Sequence, residues 1–294
     1  MEPVEKTPIW GKESWVIAAH ENGDGIIKNG AWKGRTLGWL WQNHREYFGN
    51  IEGDRFPLLI KEITAKADLS IQVHPDNAYA KKHENGASGK SECWYILEAK
   101  EDASLIMGHN ARNREEAERF VQEGRWKEFL REVPVKAGDF FQIDAGCVHS
   151  IKGGIRLLEI QQNSDITYRL YDYDRLDEQG RKRQLHIEKS LDVINYGKGS
   201  YSNRFQSIPL LKTCQNLVQT PYYRVDLLKL KNESYALTPQ NTFLCLDILQ
   251  GNGTLESTPI TQGMHIFIPC QNREIQISGK LEMILSSPAN DPQK

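Results

Sequence analysis

The sequence predicts a mainly β protein: a barrel of strands with a small helical insertion, followed by a second, smaller β module. Three observations carry this. Runs such as LSIQV, CWYIL, FFQI, IRLLEIQQ and ITYRLY recur between Gly, Pro, Asn and Asp punctuation from residue 69 to 171, the period and spacing of strands. Residues 113–133 interrupt them with helical spacing and capping residues. From Tyr222 onward the chain is again short strands, YYRVDLLKL, TFLCLDILQG, GMHIFIPC and EIQISGKLEMILSS, parted by turn signals such as GNGT.

In chain order, residues 1–35 read as short β segments and turns holding Trp10, Trp15 and Trp32. Thr36 begins a helix, with Leu37, Leu40, Trp41, His44 and Phe48 at helical spacing and Gly49 as the stop. FPLLIKEI (56–63) is a buried strand carrying Lys61, which on residue chemistry alone snorkels to the rim. Asn113 with Glu116 caps one insertion helix, and RWKEFLREV forms a second, ended by Pro134. The basic run Arg181 to Arg183 reads as a solvated loop, before a helix from Ile187 to Ile194. The C-terminal module reads as a β-sandwich holding His265 without a paired ligand set. This places one domain at 1–220, with the insertion near 113–133, and a second at 221–294.

The composition excludes several classes. With 37 basic and 39 acidic residues and a formal charge of −2, the chain lacks the basic excess of a non-specific nucleic-acid binder. The polar start, MEPVEKTPIWGKESW, is no signal peptide, and no run approaches the roughly 18 apolar residues of a membrane span. Five scattered cysteines without CxxC spacing predict reduced thiols and a cytoplasmic protein. No protein partner is predicted.

The stretch from Leu69 to Glu92 holds the most chemistry. Leu69, Ile71 and Val73 fall on one strand face; Ser70, Gln72 and His74 fall on the other. Gln-x-His offers a carbonyl oxygen and an imidazole nitrogen to one point in front of the sheet. Pro75 ends the strand, Asp76 caps a short helix, and Asn85-Gly86 closes it. The chain returns through GASGK to Glu92, at the mouth of the buried run CWYIL. A carboxylate there needs a partner, which we read as a metal ion shared with His74. GDFFQIDAGCVHSI (138–151) adds a turn, a strand, a second turn and His149. His74, Glu92, His149 and Gln72 make a nitrogen and oxygen set that suits Zn²⁺, with a position open for water or substrate. Alone, each is ordinary: a single histidine is usually structural, and Gln72 is a strand-face amide. Their joint placement points to a metal.

QVHPD, GKSE before an aromatic strand, GDFFQIDAGCVHSI and QQNSDITYRLYDYDR, in this order, resemble the type I mannose-6-phosphate isomerases in their short bacterial form. The motifs span about residues 7–200; the rest is alike only in β character. Asp144-Ala145-Gly146-Cys147 departs from the family's usual Pro-Ala-Gly-Thr, in a turn and not at a ligand. The resemblance implies a cupin (jelly-roll) barrel with one Zn²⁺ per chain, a cupin-like C-terminal module without metal, and a small phosphorylated sugar as partner. It implies interconversion of D-mannose 6-phosphate and D-fructose 6-phosphate through an enediol(ate). It also places the active-site arginine at Arg169, a catalytic lysine near the metal at Lys90, and the phosphate contacts at Lys61 and Ser70. From residues alone, Arg169 could instead pair with Asp165, Asp172 or Asp174, and the proton shuttle stays open between Lys90, Glu159 and a metal-bound water. The alternative is a non-catalytic, metal-containing cupin that binds a sugar phosphate. An iron cupin oxygenase fits less well, because the usual His-x-His is Gln72-x-His74 and the glutamate follows 18 residues later.

Overall fold

The computed structural model describes residues 1–177, 179–196, 213–239, 241–271 and 273–289. The chain divides into two compact units that interleave along the sequence. One gathers 1–4, 14–61 and the described residues from 213; the other gathers 5–13 and 62–196. Sequence punctuation suggests a single cut near 220, yet residues 14–61 group with the C-terminal strands.

In the unit around 62–196, two sheets enclose a common core. Phe140–Ile143, Glu92–Ala99 and Ile155–Gln162 lie side by side, continued by the part of Leu58–Ala65 that belongs to this unit. The second sheet has the order Tyr168–Tyr171, Ile71–Val73, His149–Ile151, Ser104–His109, Leu130–Pro134. Trp94, Ile96, Phe141, Ile143 and Leu157 of the first meet Leu105, Met107 and Ile151 of the second. This is the filled interior of a jelly roll. Ile71, Val73, Ile106, Tyr168 and Leu170 point the other way, beneath Ala117, Phe129 and Leu191 of three covering helices. The second sheet is therefore packed on both faces, and polar residues on its inner face stand out for that reason.

The predicted caps form as expected. Asp76 accepts the Tyr79 N–H ahead of helix Asn77–His83, and Asn113 accepts that of Glu116 ahead of Arg114–Gln122. The second insertion helix is shorter than its sequence suggests. It covers only Trp126–Phe129, and LREVP continues as strand Leu130–Pro134. Leu130 and Val133 pack into different cores, on a strand that pairs with Ser104–His109, and that pairing overrides weak helical propensity.

The unit around 213–289 is one antiparallel sheet in the order Cys214–Gln219, Tyr223–Leu237, Ile275–Pro288, Leu244–Leu255, Thr258–Thr261, with His265–Ile268 also pairing Leu244–Leu255. It is not two separate sheets. Its long strands carry bulges at Lys231/Glu233 and Ile248/Gln250, which bend a strand sharply. Gly251 sits at φ 87°, where a Cβ would lie 2.0 Å from the Lys280 carbonyl oxygen. One core collects Leu228 with Leu237, Leu246 with Ile260, and Ile277 with Leu285, so the sheet curls over its own apolar face.

In the same unit, Thr36 caps helix Leu37–Asn43 through the Trp39 N–H. His44 breaks the predicted single helix, and the turn Arg45–Phe48 is 3₁₀ before left-handed Gly49. Phe48 and Phe56 pack on Phe243 with ring centroids 5.5 and 5.1 Å away. Trp41 lies edge-on to Phe48 at 5.0 Å. These aromatics are why residues 14–61 belong with the C-terminal strands.

Candidate active site

Cross-strand register assembles the site. His149 sits opposite Gln72, and Gln72 sits opposite Arg169. Directly opposed residues in antiparallel strands project to the same face, so Arg169, Gln72 and His149 form one row on the inner face. Across the barrel, Glu92 opens strand Glu92–Ala99, and Trp94 follows on the same face two residues on. His74 stands just past Val73, where the strand ends before Pro75.

Among the described residues, one group of three side chains could hold a metal ion: His74, Glu92 and His149, with donor atoms all within 4.8 Å of one another. Glu92 Oε2 lies 3.6 Å from His74 Nε2, and Oε1 lies 3.4 Å from His149 Nε2. All three residues are buried. Each histidine uses its other nitrogen on a backbone carbonyl: His74 Nδ1–H donates to Ile166 at 2.8 Å, and His149 Nδ1–H to Cys147 at 2.9 Å. That bond selects the tautomer with an Nε2 lone pair facing Glu92. Burial lowers the His149 pKa to about 4, so its ring is neutral at neutral pH. Two imidazole nitrogens and one carboxylate converging in a buried site are a fitting donor set for a divalent cation. The Gln72 amide nitrogen lies 3.4 Å from His149 Nε2. As a ligand, Gln72 would present its oxygen, which a half-turn of the amide achieves.

Lys90 lies buried beside this group. Its Nζ is 2.8 Å from Glu92 Oε2 and 3.9 Å from Glu159 Oε1. Glu159 also accepts the Trp94 Nε1–H at 3.0 Å, and the Trp94 ring stands edge-on to His149 at 5.4 Å. Sequence reasoning missed Trp94, although period-two counting from Glu92 puts it on the same inner face. Ser70 is buried just before Ile71–Val73. Lys61 is 5 % exposed, with its ammonium 5.2 Å from the centroid of the Trp15 ring. It does not snorkel, because the strand carrying it is covered and an aromatic face receives the cation.

Arg169 is half-buried. Its Nη1 donates to the Gln184 carbonyl at 3.1 Å, and no ion pair joins it to a carboxylate among the described residues. Asp172 is taken by Arg175 and Arg183, and Asp174 by Lys182. Burial, and then the neighbouring Arg183, push the Arg169 pKa below the ordinary guanidinium value. Arg181 and Lys182 are solvated as their run suggests, but Arg183 turns inward onto the buried Asp172.

Fold and site together define a cupin-type β protein with a buried two-histidine, one-carboxylate centre flanked by a lysine and an arginine. Two family models match the chain: phosphomannose isomerase type I, catalytic domain, over residues 3–115, and mannose-6-phosphate isomerase, cupin domain, over residues 213–288. Mannose-6-phosphate isomerase ManA of Bacillus subtilis (strain 168) is 43% identical, the match covering 97% of each chain. The mannose-6-phosphate isomerase of Streptococcus mutans is 44% identical over 93% of this chain and 87% of its own. The crystal structure of the mannose 6-phosphate isomerase from Bacillus subtilis superposes with a TM-score of 0.91 at 37% identity, covering 97% of both chains. The chain belongs to the type I mannose-6-phosphate isomerase family, enzymes that are intramolecular aldose–ketose oxidoreductases.

Proposed function

We propose that this enzyme interconverts D-mannose 6-phosphate and D-fructose 6-phosphate through an enediol(ate), with one Zn²⁺ held by His74, Glu92, His149 and Gln72. The observation that carries the reading is the convergence of His74, Glu92 and His149 in a buried site with Lys90 and Arg169 close by. Isomerisation removes a proton from C2, delivers one to C1, and exchanges hydrogens between O2 and O1. A bound divalent cation would polarise the substrate oxygens and offset the charge that develops on them. With neutral imidazoles and a single carboxylate, its net charge stays positive.

The chain's own groups do the rest. Among the described residues Arg169 has no carboxylate partner, so its guanidinium serves the negative charge of the reacting diol. Lys90, buried between Glu92 and Glu159, hands protons to and from the sugar oxygens. Lys61 and Ser70 bind the phosphate, and that binding energy holds C1 and C2 in register with the reactive groups. The walls of Trp94 and the jelly-roll core exclude water. Free cysteines and a soluble sugar-phosphate substrate support a cytoplasmic enzyme.

A coupled assay of metal-loaded protein on mannose 6-phosphate tests the reading. Turnover is expected, with kcat lowered about 10²- to 10³-fold in Arg169→Ala while metal content holds. Absence of turnover in fully loaded protein would overturn it.

A further inference from the structure

We propose that Asp172 is a positioning residue for Arg169, acting through Arg183 and the segment 183–186; this rests on the role given to Arg169 above. The contacts close a ring. Strand Tyr168–Tyr171 leads directly from Arg169 to Asp172. The buried Asp172 carboxylate accepts Arg183 Nε–H on Oδ2 at 2.7 Å and Arg183 Nη2–H on Oδ1 at 2.5 Å, and Oδ1 also takes Arg175 Nη2–H. The bidentate pair fixes Arg183 and, one residue on, the Gln184 carbonyl that accepts Arg169 Nη1–H. His186 completes the ring: its backbone N–H donates to the Arg169 carbonyl at 2.7 Å, and its Nδ1 accepts the Arg169 N–H at 3.2 Å.

Charge adds to geometry. Three guanidinium groups, Arg169, Arg175 and Arg183, share this corner of the barrel, and Asp172 is the carboxylate that two of them grip. Removing its charge leaves Arg183 untethered beside a like-charged neighbour. The Gln184 carbonyl then loses its anchor, and the Arg169 side chain can swing about its remaining torsions. A guanidinium displaced by about 1 Å stabilises the developing charge poorly, at a cost on the order of 10²-fold in rate. The chain of contacts from Asp172 through Arg183 ends at the Gln184 carbonyl that accepts Arg169 Nη1–H, so the effect falls on catalysis more than on folding.

The experiment compares Asp172→Asn, Asp172→Glu and Arg183→Lys with wild-type holoenzyme on mannose 6-phosphate. We expect kcat to fall about 10- to 100-fold in Asp172→Asn and Arg183→Lys, KM and metal content to stay within about twofold, and Asp172→Glu to recover part of the loss. Asp172→Asn placed on Arg169→Lys should cost no more than about twofold further, because both changes act on one group. Unchanged kcat in both Asp172→Asn and Arg183→Lys, or fully additive losses on the Arg169→Lys background, would overturn the positioning role. If Arg169→Ala alone kept full activity, the role of Arg169 itself would fall, and this one with it. If Asp172→Asn does not fold, Arg183→Lys, at a partly exposed position, carries the same test.

Discussion

Glu92 faces His74, His149 and Lys90 at once, so one carboxylate balances three nitrogen-bearing groups. Glu92→Ala should bring bound metal from about one ion per chain to near none, measured by elemental analysis after dialysis; His74→Ala should do the same. His109 makes a separate prediction. It is buried, stacked on Phe129, and its Nε2–H donates to the Asn195 carbonyl. Burial lowers its pKa, so the unfolded chain takes up a proton at higher pH than the folded one. This contribution to stability is full above about pH 6.5 and is lost as pH falls below it. Thermal melts across that range should show a smaller acid-side drop in Tm for His109→Leu than for wild type. At this scale the cluster of His74, Glu92 and His149 was legible, because strand parity and turn residues put all three at strand ends. Lys61 and Arg183 were not. Their placement depends on Trp15 and Asp172, and nothing in a one-dimensional pattern reveals a partner that only the fold supplies.

The turn 144–147 shows how an element aims His149. The Gly146 N–H donates to the His74 carbonyl, while Asn195 bonds the Ala145 and Gly146 carbonyls. The turn that delivers His149 is thus tied to the other histidine and to the residues that follow helix Ile187–Val193. Gly146 sits at φ 86°, and a Cβ there would lie 2.6 Å from the Asn195 amide. Gly146→Ala should cost about 1–3 kcal/mol in urea denaturation and weaken metal binding, because the His149 strand shifts with the turn. Strands and caps were readable in the sequence wherever alternation or an Asx cap stood alone, as at Asp76 and Asn113. The reading failed at LREV, where helix and strand propensities nearly balance and the exposed edge of Ser104–His109 decides. It also failed at His44, where a continuous apolar stripe conceals the change from α to 3₁₀.

At the scale of the whole molecule, the two units interleave. Phe48 and Phe56 come early in the chain and find their packing partner, Phe243, late. Phe243→Ala should lower stability by about 3–5 kcal/mol, read as a shift in urea midpoint. A chain ending at residue 212 should be insoluble, since Trp41, Phe48 and Phe56 would lose the surface that buries them. Sequence punctuation near 220 marks a real change of texture, while residues 14–61 group with the described residues from 213. The information was present, in apolar residues at 37–56 exceeding what a short helix buries, but their destination lies nearly 200 residues away.

That separation has a consequence during synthesis. Residues 14–61 leave the ribosome well before the strands from 213 onward exist. At about 5–20 residues per second the interval lasts roughly 8 to 30 s. Throughout it, Trp41, Phe48 and Phe56 have one another but not Phe243, which makes this early segment a natural client for a ribosome-associated chaperone.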